Sequence, residues 1–157
     1  MEEVDKLVPR RDRPDAGRHT VELSREEAMA LLASAPFGRI VFTSNALPAV
    51  RPVNHLVEPG GSVIVRTSLL PGLSLLRPIG SVIVAYQADA IDPLQWLGWS
   101  VLVTGPARTV TAPDALAGYE HRLDAIFGSG DNPVIVIEPT LVTGIRLLER
   151  PSEPIAQ

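Results

Sequence analysis

Apolar positions along most of this chain fall in short runs rich in β-branched residues, as strands do, and two stretches carry a clear helical period instead. The first opens at Ser24. Ser24 and Glu27 have the S-x-x-E spacing of a capping box, and Ala28, Leu31, Leu32 and Ala35 then recur on one face. Pro36 stops the run, so the pattern predicts a helix over 25–35. The second stretch follows Thr111, a capping residue, with Pro113 in the first turn and Asp114 three residues on. Leu116, Tyr119, Leu123 and Phe127 share a face, and Gly128-Ser129-Gly130 ends it.

The remaining apolar runs read as strands. GRIVFTSN at 38–45 is β-branched and aromatic, and Leu47-Pro48-Ala49 reads as a turn. Residues 50–57 alternate, with Val53, His55 and Val57 on one face and Pro52, Asn54 and Leu56 on the other. Pro59-Gly60-Gly61 signals a hairpin into SVIVRTS at 62–68. Residues 69–79 hold one short helical turn, GSVIVAYQ at 80–87 is a strand, and Asp89–Trp96 is a loop. GWSVLVTGPARTV at 98–110 is long for a strand, and Gly105-Pro106 marks a bulge or bend in it. The last strand region, 133–148, is broken at Glu138-Pro139. Six or seven consecutive strands and two helices predict a barrel with helices outside it, with an all-β sandwich as the alternative.

Composition narrows this to one globular domain. The chain has 157 residues, 45% hydrophobic and 20% charged, which allows roughly 70% of the unfolded surface to be buried. Residues 1–19 mix five acids and five bases around Pro9, Pro14 and Gly17, and read as a flexible arm. The domain proper is 20–150, with Val21 and Leu23 as first core contacts, and 151–157 is a tail. No cysteine is present, which removes disulfides and thiolate metal sites and fits a cytoplasmic location. A net charge of −4 gives no basic face for nucleic acid. Every apolar run is shorter than the roughly 18 residues a membrane helix needs.

Chemistry is sparse. There is no nucleophile elbow and no phosphate-binding glycine loop. His19, His55 and His121 lack metal-ligand spacing. His55, among valines on a strand, reads first as a packed histidine, and second as a ligand or proton donor. Asp89 and Asp92 form either an acid/base pair or, as the favoured reading, a solvated and turn-capping pair. Arg51 and Arg66 stand in apolar strands. Arg66-Thr67-Ser68 gathers a cation and two hydroxyls at a strand end, which makes either an anion cradle or a surface salt bridge. Trp96 and Trp99, in a chain only 4% aromatic, serve as a flat-ligand wall or as packing.

Taken in succession, the short helix, GRIVFTSNALPAVRPVNHLV, SVIVRTS, SVIVAYQADAIDP and GWSVLVTGPARTV resemble the pyridoxamine-phosphate-oxidase-like branch of the flavin-binding split barrels over residues 22–148. The resemblance implies a mainly β fold: a six-stranded antiparallel split β-barrel with two or three flanking helices, forming a homodimer with ligand grooves at its interface. It implies FMN as cofactor and an oxidoreductase role with unknown substrate. Arg51, Pro52, Val53 and Asn54 match the strand beside the flavin ring. Arg66, Thr67 and Ser68 match the strand end near the ribityl phosphate, and Trp99 matches a position close to the cofactor, often across the interface. One departure stands out. Ser74 falls where a phosphate-binding lysine is usual, and the loop LLPGLSLLRP is longer, leaving Arg77 or Arg66 to substitute. Losing one charge-assisted bond costs roughly 1.5–3 kcal/mol. The alternatives are therefore a deazaflavin reductase, a haem or tetrapyrrole binder with His55 as axial ligand, or a dimer without cofactor. Oxidation of pyridoxamine phosphate itself is not expected, because its enzymes add a C-terminal arginine-containing segment and only Arg150 is available here.

Overall fold

The computed structural model describes residues 17–44, 46–67, 82–123, 126 and 132–151. Nine strands and two helices occur among them, in the order β1 (Arg18–Glu22), α1 (Arg25–Ser34), β2 (Gly38–Ser44), β3 (Leu47–Val53), β4 (His55–Val57), β5 (Val63–Arg66), β6 (Val82–Ile91), β7 (Gly98–Thr109), α2 (Pro113–Arg122), β8 (Val134–Ile137) and β9 (Leu141–Glu149). All pairings are antiparallel, and neighbours run β3-β2-β6-β7-β8-β5-β4, with β9 pairing β7 and β1. Only Asn54 separates β3 from β4, so the two ends of this path are joined through the chain and the sheet curls round a core.

The expected six strands become nine segments for physical reasons. Asn54 is buried at a break, so 50–57 divides into β3 and β4. The last region divides at Glu138-Pro139, because Pro139 lacks the N–H a ladder needs. Arg18 and His19, read as the end of an arm, open β1, where Arg18 pairs with Glu149. β6 runs on to Ile91, so Asp89 lies in a strand rather than a loop. Leu47-Pro48-Ala49 belongs to β3 and not to a turn; Ala46, with φ of 63°, carries the turn. β3 tolerates Pro48 and Pro52 because it pairs with β2 alone and is an edge strand.

The helices follow the pattern with small corrections. Ser24 and Glu27 make the capping box: Oγ of Ser24 accepts from the Glu27 N–H at 3.2 Å, and the Glu27 carboxylate accepts from the Ser24 N–H at 2.9 Å. The helix stops at Ser34, because Pro36 holds Ala35 in extended backbone. In α2 the N-cap is Ala112, without a side-chain bond, and not Thr111. Pro113 fixes φ at the first turn and sets the start one residue later. Phe127 and the Gly128-Ser129-Gly130 stop lie outside the described residues, and α2 ends at Arg122.

The main core packs Ala28 and Leu32 of α1 against Ile40 and Phe42, Val84 and Tyr86, and Trp99, Val101 and Val103. A second cluster joins Ile64, Val134 and Val136 to Val110 and Leu123, with Leu116 and Tyr119 of α2 resting on it. β8 is thus covered on both faces, as its unbroken VIVI requires. β7 is the hub. Its register on β6 passes Gly105-Pro106 without a slip, so there is no bulge on that side. On the other side its partner changes from β9, ending at Thr104, to β8, starting at Ala107. Gly105 permits the fork, since a Cβ there would lie 1.8 Å from the Glu138 carbonyl oxygen.

Candidate functional site

The break at Asn54 creates a corner. β4 pairs with β5 starting from His55 opposite Val65. Carrying that register one step further sets Asn54 against Arg66. Asn54, Arg66 and Thr67 therefore lie at one end of the β4–β5 pair, and Arg51, Pro52 and Val53 lead into that corner along β3. Trp99 does not join them within the protomer; it lies three strands along the path, on β7, buried between Ala90 and Arg146. Ser68 and Ser74 lie outside the described residues.

Local environment divides these residues. Arg51 and Pro52 are exposed, whereas Val53, Asn54 and Thr67 are buried. Arg51 heads an inward row with Ile40, Tyr86, Val103 and Val142, and it reaches solvent because β3 is the sheet edge. Arg66 is engaged: its Nη2 lies 3.8 Å from the Glu120 carboxylate and its Nε donates to the Asn132 carbonyl at 3.3 Å. Of the two readings of Arg66, the protomer shows the salt bridge. The Thr67 N–H donates to the Pro133 carbonyl at 3.3 Å.

His55 resolves in favour of packing. Its Nε2 lies 2.7 Å from the Leu32 carbonyl, which only accepts, so Nε2 carries the proton. Its Nδ1 then accepts from the Tyr86 hydroxyl at 2.6 Å. Burial lowers the His55 pKa, partly opposed by the Leu32 carbonyl, and burial raises that of Tyr86, partly opposed by the Gly38 N–H. Both stay neutral near pH 7. With both ring nitrogens engaged inside the core, His55 is neither an available axial ligand nor an available proton donor. Sequence reasoning missed Tyr86; a hydroxyl midway along an apolar strand was the available signal, since such a group needs a partner.

The acidic pair separates too. The Asp92 carboxylate accepts from the N–H groups of Leu94 and Gln95 at 2.7 and 2.9 Å, and these bonds, Gln95 first, hold its pKa below the usual carboxylate range. Asp89 accepts from Gln87 at 2.6 Å. Turn capping and solvation, rather than acid/base chemistry, explain both. Trp96 is 49% exposed and stands at φ 57°, unusual for a non-glycine residue. No cluster of three potential metal ligands occurs among the described residues, and no helix among them is long and apolar enough to cross a membrane.

The outer face of the sheet was also not anticipated. One row crosses five strands as Val50, Val41, Ala85, Thr104 and Leu141, and the next as Pro52, Arg39, Gln87, Leu102 and Thr143. Val50, Leu141 and Leu102 are 53%, 58% and 40% exposed, and Ile83 beside them is 62% exposed. Four large apolar side chains thus stand exposed among Arg39, Gln87, Thr104 and Thr143, the mixture of apolar patch and polar rim that marks interaction surfaces.

A curled antiparallel sheet with two helices, mainly β, fits the split-barrel class. Residues 24–146 match the family model described as pyridoxamine 5′-phosphate oxidase, and the chain belongs to that family in its broad sense. It is 48% identical over 142 residues to the uncharacterized protein Rv0080 of Mycobacterium tuberculosis, covering 88% of this chain and 93% of that protein. Among solved structures it is similar to a candidate pyridoxamine 5′-phosphate oxidase of Corynebacterium glutamicum, at 25% identity and a TM-score of 0.66 over 81% of this chain and 92% of the other. It is also similar to an FAD binding protein of Mycobacterium smegmatis, at 29% identity and a TM-score of 0.58 over 82% of this chain and 98% of the other.

Proposed function

We propose that this protein is a flavin-binding, oxidoreductase-like homodimer, with FMN as the first cofactor to test. The observation that carries the reading is the exposed apolar face on β3, β2, β6, β7 and β9, which a second copy would cover, beside a corner that presents Arg51. The flavin-binding relative from M. smegmatis supports the same reading. The residues fit the group in part. Arg51 makes no ion pair with any described residue and suits a phosphate. Val53 and Asn54 offer backbone and amide groups for a ring's polar edge. Arg66 joins only by exchanging Glu120 for phosphate, and Trp99 would approach from the other protomer. A bound flavin would supply the electron transfer, and the chain would supply orientation and charge.

The test is titration of purified apo-protein with FMN, and in parallel FAD, followed by quenching of flavin fluorescence. Saturable binding at micromolar or tighter affinity is expected, weakened about tenfold or more in Arg51→Gln. Absence of binding by either flavin up to about 100 μM, a limit of roughly 5.5 kcal/mol, would overturn the reading.

A further inference from the structure

Two side chains on the β1–β9 ribbon lack partners and are neighbours. Nδ1 of His19 is buried and makes no hydrogen bond. Arg146 is half-buried, and no ion pair or hydrogen bond among the described residues uses its guanidinium. The nearby acid, Glu27, is committed to the cap of α1, where the Ser24 backbone and side chain lower its pKa and Arg146 adds a smaller effect. The ladder explains the adjacency. His19 pairs with Leu148 and Val21 with Arg146, so His19 and Arg146 are diagonal neighbours on one face, a separation of roughly 7–8 Å. Trp99 is the ladder partner of Arg146 on the other side.

Above them opens a hollow of about 670 Å³ whose lining includes His19, Arg146, Leu97, Leu148 and Pro151, with one acid, Glu149. It adjoins a smaller one that shares His19 and adds Arg150. Arg18 borders it but is committed to the Gln95 carbonyl at 2.8 Å. Buried polar atoms without partners are rare in folded chains and cost free energy, so the orphaned His19 nitrogen beside an unpaired guanidinium points to a missing partner. A guanidinium fork and an imidazole nitrogen together match phosphate oxygens. The leucine and proline walls suit an apolar body of small-molecule size.

We infer that this hollow binds a small organic phosphate, with its oxygens on Arg146 and His19 and its apolar part on Leu97 and Leu148. Within the protomer the site lies on the β1–β9 ribbon, apart from the Asn54 corner, and its argument does not use the flavin reading. The test is calorimetric titration of the full chain with phenyl phosphate. Saturable binding is expected, tighter than for inorganic phosphate, and unchanged by saturating FMN if FMN binds. Arg146→Gln and His19→Ala should each weaken it about tenfold or more, with melting temperatures close to that of the parent. Because Arg146 lies near α1, His19→Ala carries the test if Arg146→Gln fails to fold. Equal affinity in parent and His19→Ala, or no saturation up to about 20 mM, would overturn the assignment. Displacement of phenyl phosphate by FMN would overturn it as well, by giving the hollow to the flavin.

Discussion

Replacing Tyr86 by Phe removes a single oxygen from the middle of the core, and the structure sets what that costs. Tyr86 has no solvent exposure. Its hydroxyl donates to Nδ1 of His55 at 2.6 Å, lies 3.2 Å from the Val53 carbonyl, and accepts from the Gly38 N–H. Because Nε2 of His55 is held as a donor by Leu32, Nδ1 keeps a bare lone pair once the hydroxyl is gone. No water can enter without a cavity, so the nitrogen and the Gly38 amide both lose a partner. Each orphaned buried group costs about 1–3 kcal/mol. Part of this is offset by the cheaper burial of Phe, leaving a net loss of roughly 2–4 kcal/mol. For a domain of this size that corresponds to a fall in Tm of roughly 5–15 °C. Thermal melts and urea unfolding with an unchanged m-value would measure it. The cycle with His55→Leu is the sharper check. If the two groups satisfy each other, the double variant should lose less than the sum of the single losses by about 1 kcal/mol or more. Additive losses, or a Tyr86→Phe effect below about 0.5 kcal/mol, would refute the dyad.

Three further outcomes follow from the same structure. Burial lowers the folded pKa of His55 below its ordinary 6.5, so below pH 6.5 the unfolded chain binds the extra proton and stability falls with pH, levelling beneath the folded value. Urea midpoints at pH 7.5 and 5 should differ in the parent, and His55→Gln should flatten that difference; a parent with no acid slope would count against the assignment. Gly105→Ala would force the β7–β8–β9 fork apart, because its Cβ meets the Glu138 oxygen at 1.8 Å. A destabilisation of roughly 2–4 kcal/mol by denaturant titration is expected, and a neutral substitution would show the fork is not as drawn. Val50→Lys with Ile83→Lys should convert the proposed dimer to monomer by light scattering, since both side chains are more than half exposed on the outer face; a persistent dimer would place the interface elsewhere.

The legible part of this fold was the part written in local pattern. Ser24, Glu27 and Pro36 bracket α1 within one residue, because capping and the proline restriction act over a few positions. The length of β7 and the special position of Gly105 are readable for the same reason. What escaped was set by partners distant in sequence. Nothing local marks Arg18 as the opposite number of Glu149, so the first two residues of β1 read as the end of an arm. The solvated look of the loop from Asp89 concealed that β6 continues to Ile91, held there by ten ladder pairs with β7. At the candidate site, the clustering of Arg51–Asn54 with Arg66 and Thr67 followed from strand order. The claim of Glu120 on Arg66 did not, because it comes from α2, more than fifty residues away. His55 reads toward packing from its valine neighbours, whereas its pairing with Tyr86, thirty-one residues on, is set by the tertiary fold.

The pairing of β1 with β9 has a consequence for how the chain is made. Residue 18 emerges from the ribosome 131 residues ahead of residue 149, yet each completes the other's strand. At roughly 5–20 residues per second, β1 waits on the order of ten seconds for its partner. Through that interval Val21 and the unpaired edge of β7 stand open, and the hub cannot close. A nascent chain stalled before residue 141 would therefore lack the whole β9–β1 branch of the sheet, not β9 alone. The same adjacency places the two ends of the domain side by side, so a short linker joining them and a new opening in the turn after Glu58 should give a circularly permuted chain that folds.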